Sequence, residues 1–122
     1  MDIITDFISI ELVRKRAQRS YDEWNYFCDH DPAYSNETET QFQRRNMVNY
    51  IRHNLTNYDE LLGLAGNHSE LRGAVLRKIG DAYPELLTEC ARQGADMSGM
   101  VFKDVPDERG ILQRIWTPKT SM

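Results

Sequence analysis

A run in the middle of the chain constrains its fold more than any other feature. Val48, Ile51, Leu55, Tyr58, Leu62 and Ala65 follow one another in steps of three, four, three, four and three. At 3.6 residues per turn those steps put all six side chains on one face of a helix, whereas a strand needs alternation by two. A face this apolar has to press against neighbouring elements. The spacing predicts a helix over about 37–64, opened by an Asn36/Glu39 capping box and stopped at Gly63 and Gly66.

Helical spacing also runs through the flanking segments. Ile3, Phe7, Ile10, Ala17, Tyr21, Trp24 and Cys28 predict a first helix over about 3–27, capped by Asp2 and widened by Ile4, Ile8 and Val13. Pro32 then breaks it. After an Asn67/Glu70 box, Leu71, Val75, Leu76, Ile79, Ala82 and Tyr83 predict a third helix. Pro84 kinks or restarts it, Leu86, Leu87, Cys90 and Ala91 continue it, and Gly94 ends it. Short connections imply antiparallel neighbours, hence a mainly α fold: an antiparallel bundle of three to four helices over 1–95.

The last stretch, 96–122, changes character. Two β-prone runs, Met100–Val105 and Ile111–Trp116, flank PDERG, whose Pro106 and Gly110 are turn formers. A short β-hairpin or docked arm on the same domain follows, with Phe102 and Trp116 as its anchors.

The 122 residues suffice for one domain, and 40% hydrophobic against 28% charged residues is a globular balance. A net charge of −4 disfavours a dedicated duplex-DNA binder, whose affinity comes from neutralising phosphates. No apolar run reaches the roughly 20 residues of a membrane span, and the N-terminus lacks the basic start of a signal peptide. Two distant cysteines, Cys28 and Cys90, leave room for one disulfide but form no dense framework, so free thiols in a reducing cytoplasm are the default expectation.

Four groups of residues carry candidate chemistry. Arg52, His53, Thr56, Asp59 and Glu60 flank the apolar seam and form a polar stripe that suits a protein partner, or a His/carboxylate pair for proton transfer. A plain solvated helix face accounts for the same residues. Arg14, Lys15, Arg16 and Arg19, with Arg44 and Arg45, would offer nucleic acid a basic side if they converge, as would Arg72, Arg77 and Lys78. Cys28, Asp29, His30 and Asp31 are metal-ligand types, but four adjacent donors cannot readily wrap one tetrahedral ion, and turn chemistry explains them. Tyr21, Trp24, Tyr26 and Phe27 crowd one helix end and would either roof the core or meet a partner.

Within the polar stripe, Ile51, Arg52, His53, Thr56, Tyr58, Asp59, Leu61 and Leu62 form the pattern I-R-H-x-x-T-x-Y-D-x-L-L. It resembles the signature of a bacterial domain family of unknown function, over this helix and part of the next. The resemblance implies shared helical architecture and a bacterial source, and no reaction.

Walker-type glycine loops, G-x-G-x-x-G, G-x-S-x-G and H-E-x-x-H are all missing from the sequence. No residue is therefore assigned to catalysis, to a metal or to a cofactor. The expectation is a non-enzymatic helical interaction module that meets a protein partner and self-associates through the apolar start of its first helix. A nucleic-acid accessory protein and a small enzyme using His53 with Glu60 or Asp59 are the alternatives.

Overall fold

A computed structural model describes residues 2–18 and 38–119. The first difference from expectation lies at the start. Residues 2–9 are extended, and the first helix, α1, is Ile10–Ala17. Ile3, Ile4, Thr5 and Ile8 are β-branched, which disfavours helix and suits an extended arm. The arm pairs with a corner of the fold: Asp6 N–H donates to the Leu55 carbonyl at 2.8 Å, and Asn57 N–H to the Ile4 carbonyl at 3.1 Å. Asn57 also accepts from Ile4 N–H at 2.8 Å and donates to the Asp2 carbonyl at 3.0 Å. Asp2 therefore lies in the arm, and Ser9 caps α1 by accepting from Leu12 N–H.

Helix α2, Glu39–Asn54, opens on a capping box two residues later than the spacing predicts. Gln41 N–H donates to Thr38 Oγ1 at 3.1 Å, and Thr38 N–H to Gln41 Oε1 at 2.9 Å. Asn36 and Glu37 lie outside the described residues. The expected long helix is cut at Leu55–Asn57. There Thr56 Oγ1 donates to the Arg52 carbonyl at 2.6 Å and accepts from Tyr58 N–H at 3.1 Å. A short helix, α3 (Tyr58–Leu62), follows. The cut shifts the seam: Val48, Ile51, Leu55 and Tyr58 are buried as predicted, but beyond the break Leu61 is buried and Leu62 half-buried.

Asn67 caps α4, His68–Ala82, accepting from Glu70 N–H at 3.0 Å. Pro84 restarts the chain as a 3-10 turn, Pro84–Leu86, which leads into α5, Leu87–Arg92. Gly94 ends α5 at φ +107°, a conformation that side chains other than glycine's adopt only with strain. Val13 of α1, Ile51 of α2, Leu76 and Ile79 of α4, and Leu86 and Cys90 at its far side are all fully buried in one core. Ile3, Phe7, Ile8 and Ile10 pack against that core, so the apolar start of the chain is largely used inside the molecule.

A two-stranded antiparallel hairpin closes the described chain: β1, Met100–Pro106, and β2, Leu112–Pro118, in register Phe102↔Trp116 and Asp104↔Arg114. Its turn is built by Asp107, whose Oδ1 accepts from Arg109 N–H at 2.8 Å and Ile111 N–H at 3.0 Å. Partial desolvation works to raise the Asp107 carboxyl, but these backbone bonds and the Arg109 guanidinium outweigh it and hold the group below its ordinary range. The link from α5 is clamped by Arg77, which donates to the carbonyls of Asp96 at 3.0 Å and Ser98 at 2.7 Å. The architecture is mainly α with a C-terminal hairpin. Among the described residues no helix is long and apolar enough to cross a membrane.

Candidate interaction surface

The polar stripe around Arg52 is drawn into one network. The break after α2 lets Asp59, at the start of α3, turn back toward His53. His53 Nδ1 lies 2.7 Å from Asp59 Oδ1, and His53 Nε2 lies 3.2 Å from Arg52 Nη2. A guanidinium has no lone pair to offer, so Nε2 accepts and the ring proton sits on Nδ1, facing the carboxylate. Arg52 also lies over the Tyr58 ring at 5.4 Å and donates from Nη1 to Gln93 Oε1 at 3.2 Å. Burial pushes the Arg52 guanidinium below its ordinary pKa, and its buried Nε makes no hydrogen bond.

Gln93 carries the network onward. Its Nε2 donates to Glu89 Oε2 at 2.8 Å, and Glu89 takes two further bonds from Arg92, Nε at 3.0 Å and Nη2 at 2.6 Å. Glu89 is the buried carboxylate of the described residues, with 4% of its side chain exposed, and this fork satisfies both of its oxygens. A chain of bonds thus runs from Asp59 through His53, Arg52 and Gln93 to Glu89, tying the α2–α3 corner to α5. It binds the fold together and leaves both imidazole nitrogens engaged. Thr56 Oγ1 is spent on the backbone, and burial pushes the Cys90 thiol up to about 12, with the Glu89 charge adding to the rise. Glu60 is exposed and stands outside the network.

The basic residues are dispersed among separate contacts. Arg14 pairs with Glu85 at 2.9 Å, Arg16 reaches Tyr50 Oη at 3.3 Å, and Arg45 lies over the Phe42 ring at 5.1 Å. Lys15 is exposed on α1. Arg44 borders a groove of about 250 Å³ together with Thr38, Gln41, Thr88, Glu108 and Gln113. Carboxylates line that groove as well as arginines, so it presents no single sign of charge. Arg19, the Cys28–Asp31 cluster and the aromatic group Tyr21, Trp24, Tyr26 and Phe27 lie outside the described residues.

The hairpin differs in kind from these sites. Eight large apolar side chains are exposed among the described residues, and six of them belong to it: Val101, Phe102, Val105, Ile111, Leu112 and Ile115. Of the two expected anchors only Trp116 reaches the helical body, where it borders Thr88, Ala91 and Arg92 on α5. Phe102 is 49% exposed; it packs on Trp116 at 5.3 Å and lies 3.8 Å beneath the Arg114 guanidinium. The strand sequences contain a signal for this surface. Val101–Phe102 and Ile115–Trp116 are adjacent apolar pairs, and neighbours in a strand point to opposite faces, so both faces of the ribbon carry apolar groups. One ribbon lying on a helical body can bury only one of them.

Compared with protein-family models, with curated proteins and with solved structures, the chain shows no match to any.

Proposed function

We propose that this protein is a non-enzymatic interaction module, a helical bundle that carries its C-terminal hairpin as a docking surface for another polypeptide. The concentration of six exposed apolar side chains on one short ribbon carries the reading. Monomeric surfaces scatter such residues, and their concentration on one element marks a site that is covered in use. Partner contact belongs to the hairpin rather than to Arg52, His53, Thr56 and Asp59. Those four are engaged with one another and with Gln93, which suits them to hold the α2–α3 corner. The source is bacterial and the compartment cytoplasmic on this reading, as the resemblance and the thiol content imply.

Site-specific photo-crosslinking in intact cells tests it. A benzophenone side chain at Leu112 is expected to yield a polypeptide adduct, a second copy of the chain included, while the same group at exposed Glu60 yields none. No adduct at Leu112, or equal adducts at both positions, would contradict the assignment of the hairpin.

A further inference from the structure

Backbone groups of the N-terminal arm divide between alternate residues. The Asp2 carbonyl, both groups of Ile4, the Asp6 N–H and both groups of Ile8 are bonded to Asn57, Leu55 or the Tyr83 hydroxyl. Among the described residues, no hydrogen bond uses the backbone N–H or C=O of Ile3, Thr5 or Phe7. Successive residues of an extended chain turn these groups to opposite sides, so the arm is a strand paired along one edge only. Thr5 bridges antiparallel to Thr56 on the paired edge, and the other edge carries the groups of Ile3, Thr5 and Phe7. Such an edge is a template for one more strand.

The side chains alternate as well. Ile3 and Phe7 pack against the core, while Asp2, Ile4 and Asp6 stand exposed on the opposite face. Ile4 is 64% exposed, and neither aspartate is ion-paired among the described residues.

We infer that this edge binds an extended segment of another polypeptide as an added antiparallel strand, in which an apolar residue stands between two basic ones. The backbone groups select the extended conformation, since a strand offers its own N–H and C=O at the same repeat. Directly opposed side chains share a face, so the added strand sets its apolar residue against Ile4 and its basic residues against Asp2 and Asp6. A second copy of the arm fits poorly. Aligned on Ile4 it opposes Asp2 to Asp6, and aligned on Thr5 it opposes Asp6 to Ile4. Residues 2–9 contain neither proline nor lysine, the residues that commonly block strand addition.

Asn57 and the Tyr83 hydroxyl hold the arm in place beforehand, so little ordering cost falls on this side of the complex. About five residues of the partner are engaged, far fewer than in a standard interface, which makes the complex weak and reversible, with a Kd of about a hundred micromolar. The arm and the hairpin are separate surfaces, and neither reading rests on the other.

Titration of the full chain with the end-blocked peptide TKTVTKT, followed by amide NMR, tests the inference. The amide signals of Ile3, Thr5 and Phe7 move and saturate below millimolar peptide, while those of Val101, Leu112 and Ile115 on the hairpin stay fixed. A peptide with proline at the positions facing Thr5 and Ile3 lacks the N–H groups that bond the edge and binds at least about tenfold more weakly. TETVTET, which sets glutamates against the aspartates, is weakened by about the same factor. Asp2→Lys with Asp6→Lys reverses the preference between TKTVTKT and TETVTET and leaves Tm unchanged, because both carboxylates are exposed. No movement at millimolar peptide, or equal binding of the proline peptide, overturns strand addition. Equal binding of TKTVTKT and TETVTET, or a doubly substituted chain that still prefers TKTVTKT, overturns the charge pairing. Movement of Ile3, Thr5 and Phe7 on concentration without peptide gives the edge to a second copy and overturns the proposed partner.

Discussion

Replacing Tyr83 by phenylalanine removes one oxygen atom and with it the tether of the N-terminal arm. Tyr83 Oη donates to the Ile8 carbonyl at 2.6 Å and accepts from Ile8 N–H at 3.1 Å, so a single hydroxyl closes both polar groups of one backbone residue. The phenyl ring stays, and so does its edge-on contact with Phe7 at 5.3 Å. The loss is thus confined to two hydrogen bonds, each contributing about 0.5–1.5 kcal/mol net. Water reaches this partly buried site and replaces part of that loss, which puts the expected cost at about 1–2 kcal/mol, or roughly 4–8 °C in Tm. Urea unfolding followed at 222 nm measures the cost, and amide exchange reports its location. The Asp6 and Asn57 amides, which bond the arm to the corner, should exchange faster, while those in the middle of α4 change only with global stability. Burial raises the Tyr83 phenol above its ordinary pKa, so its contribution is complete at neutral pH and fades as pH rises through the raised value. The variant should therefore lose less stability than wild type on going to alkaline pH. A loss below about 0.5 kcal/mol, with unchanged exchange at Asp6 and Asn57, would refute the tether.

Further expectations follow from the core and the buried polar groups. Ile51→Ala empties a fully buried position at the centre of the seam and should cost about 2–5 kcal/mol in the same urea assay; a cost under 1 kcal/mol would remove Ile51 from the core. Arg92→Ala leaves Glu89 buried with Gln93 alone and should cost about 1–2 kcal/mol, discounted because Arg92 itself is half exposed; adding Glu89→Gln should recover part of it. The Cys90 thiol, raised to about 12 by burial, holds roughly a thousandfold less thiolate at pH 8 than an ordinary thiol of pKa 9.0, so in a Cys28→Ser background an aromatic disulfide reagent should react only on unfolding. The same raised value means that stability supplied by Cys90 is intact below pH 9 and declines as pH climbs toward 12; fast labelling of the native protein at pH 8 would contradict its burial.

The parts of the fold that were legible in the sequence are those where one local signal dominates. Apolar spacing from Val48 to Tyr58, the Asn67 cap and the restart at Pro84 each depend on neighbours within a turn or two, and the structure shows all of them. The hairpin strands lie within two residues of their expected ends, because Asp107 and Gly110 make the turn from local bonds. Two features depended on partners far along the chain. Residues 2–9 carry helical spacing but extend, because the Leu55–Asn57 corner offers them backbone groups to pair with. That corner exists in turn because the Thr56 hydroxyl competes for the Arg52 carbonyl, a contest that hydrophobic periodicity does not register. The site was half legible. Arg52, His53, Thr56 and Asp59 stood out as a cluster, but their mutual engagement needed the break between α2 and α3. The exposed ribbon face was implied by the adjacent apolar pairs in its strands, and was masked by the expectation that Phe102 and Trp116 both anchor inward.

The most direct measurement is a dilution series followed residue by residue in NMR spectra of the full chain. If the hairpin is the docking surface and a second copy is among the polypeptides it takes, the signals of Val101, Phe102, Leu112 and Ile115 move with concentration, and those of Ile51, Arg52 and His53 stay fixed. Movement confined to α1, α2 or α3, with the ribbon signals unchanged, would contradict the account.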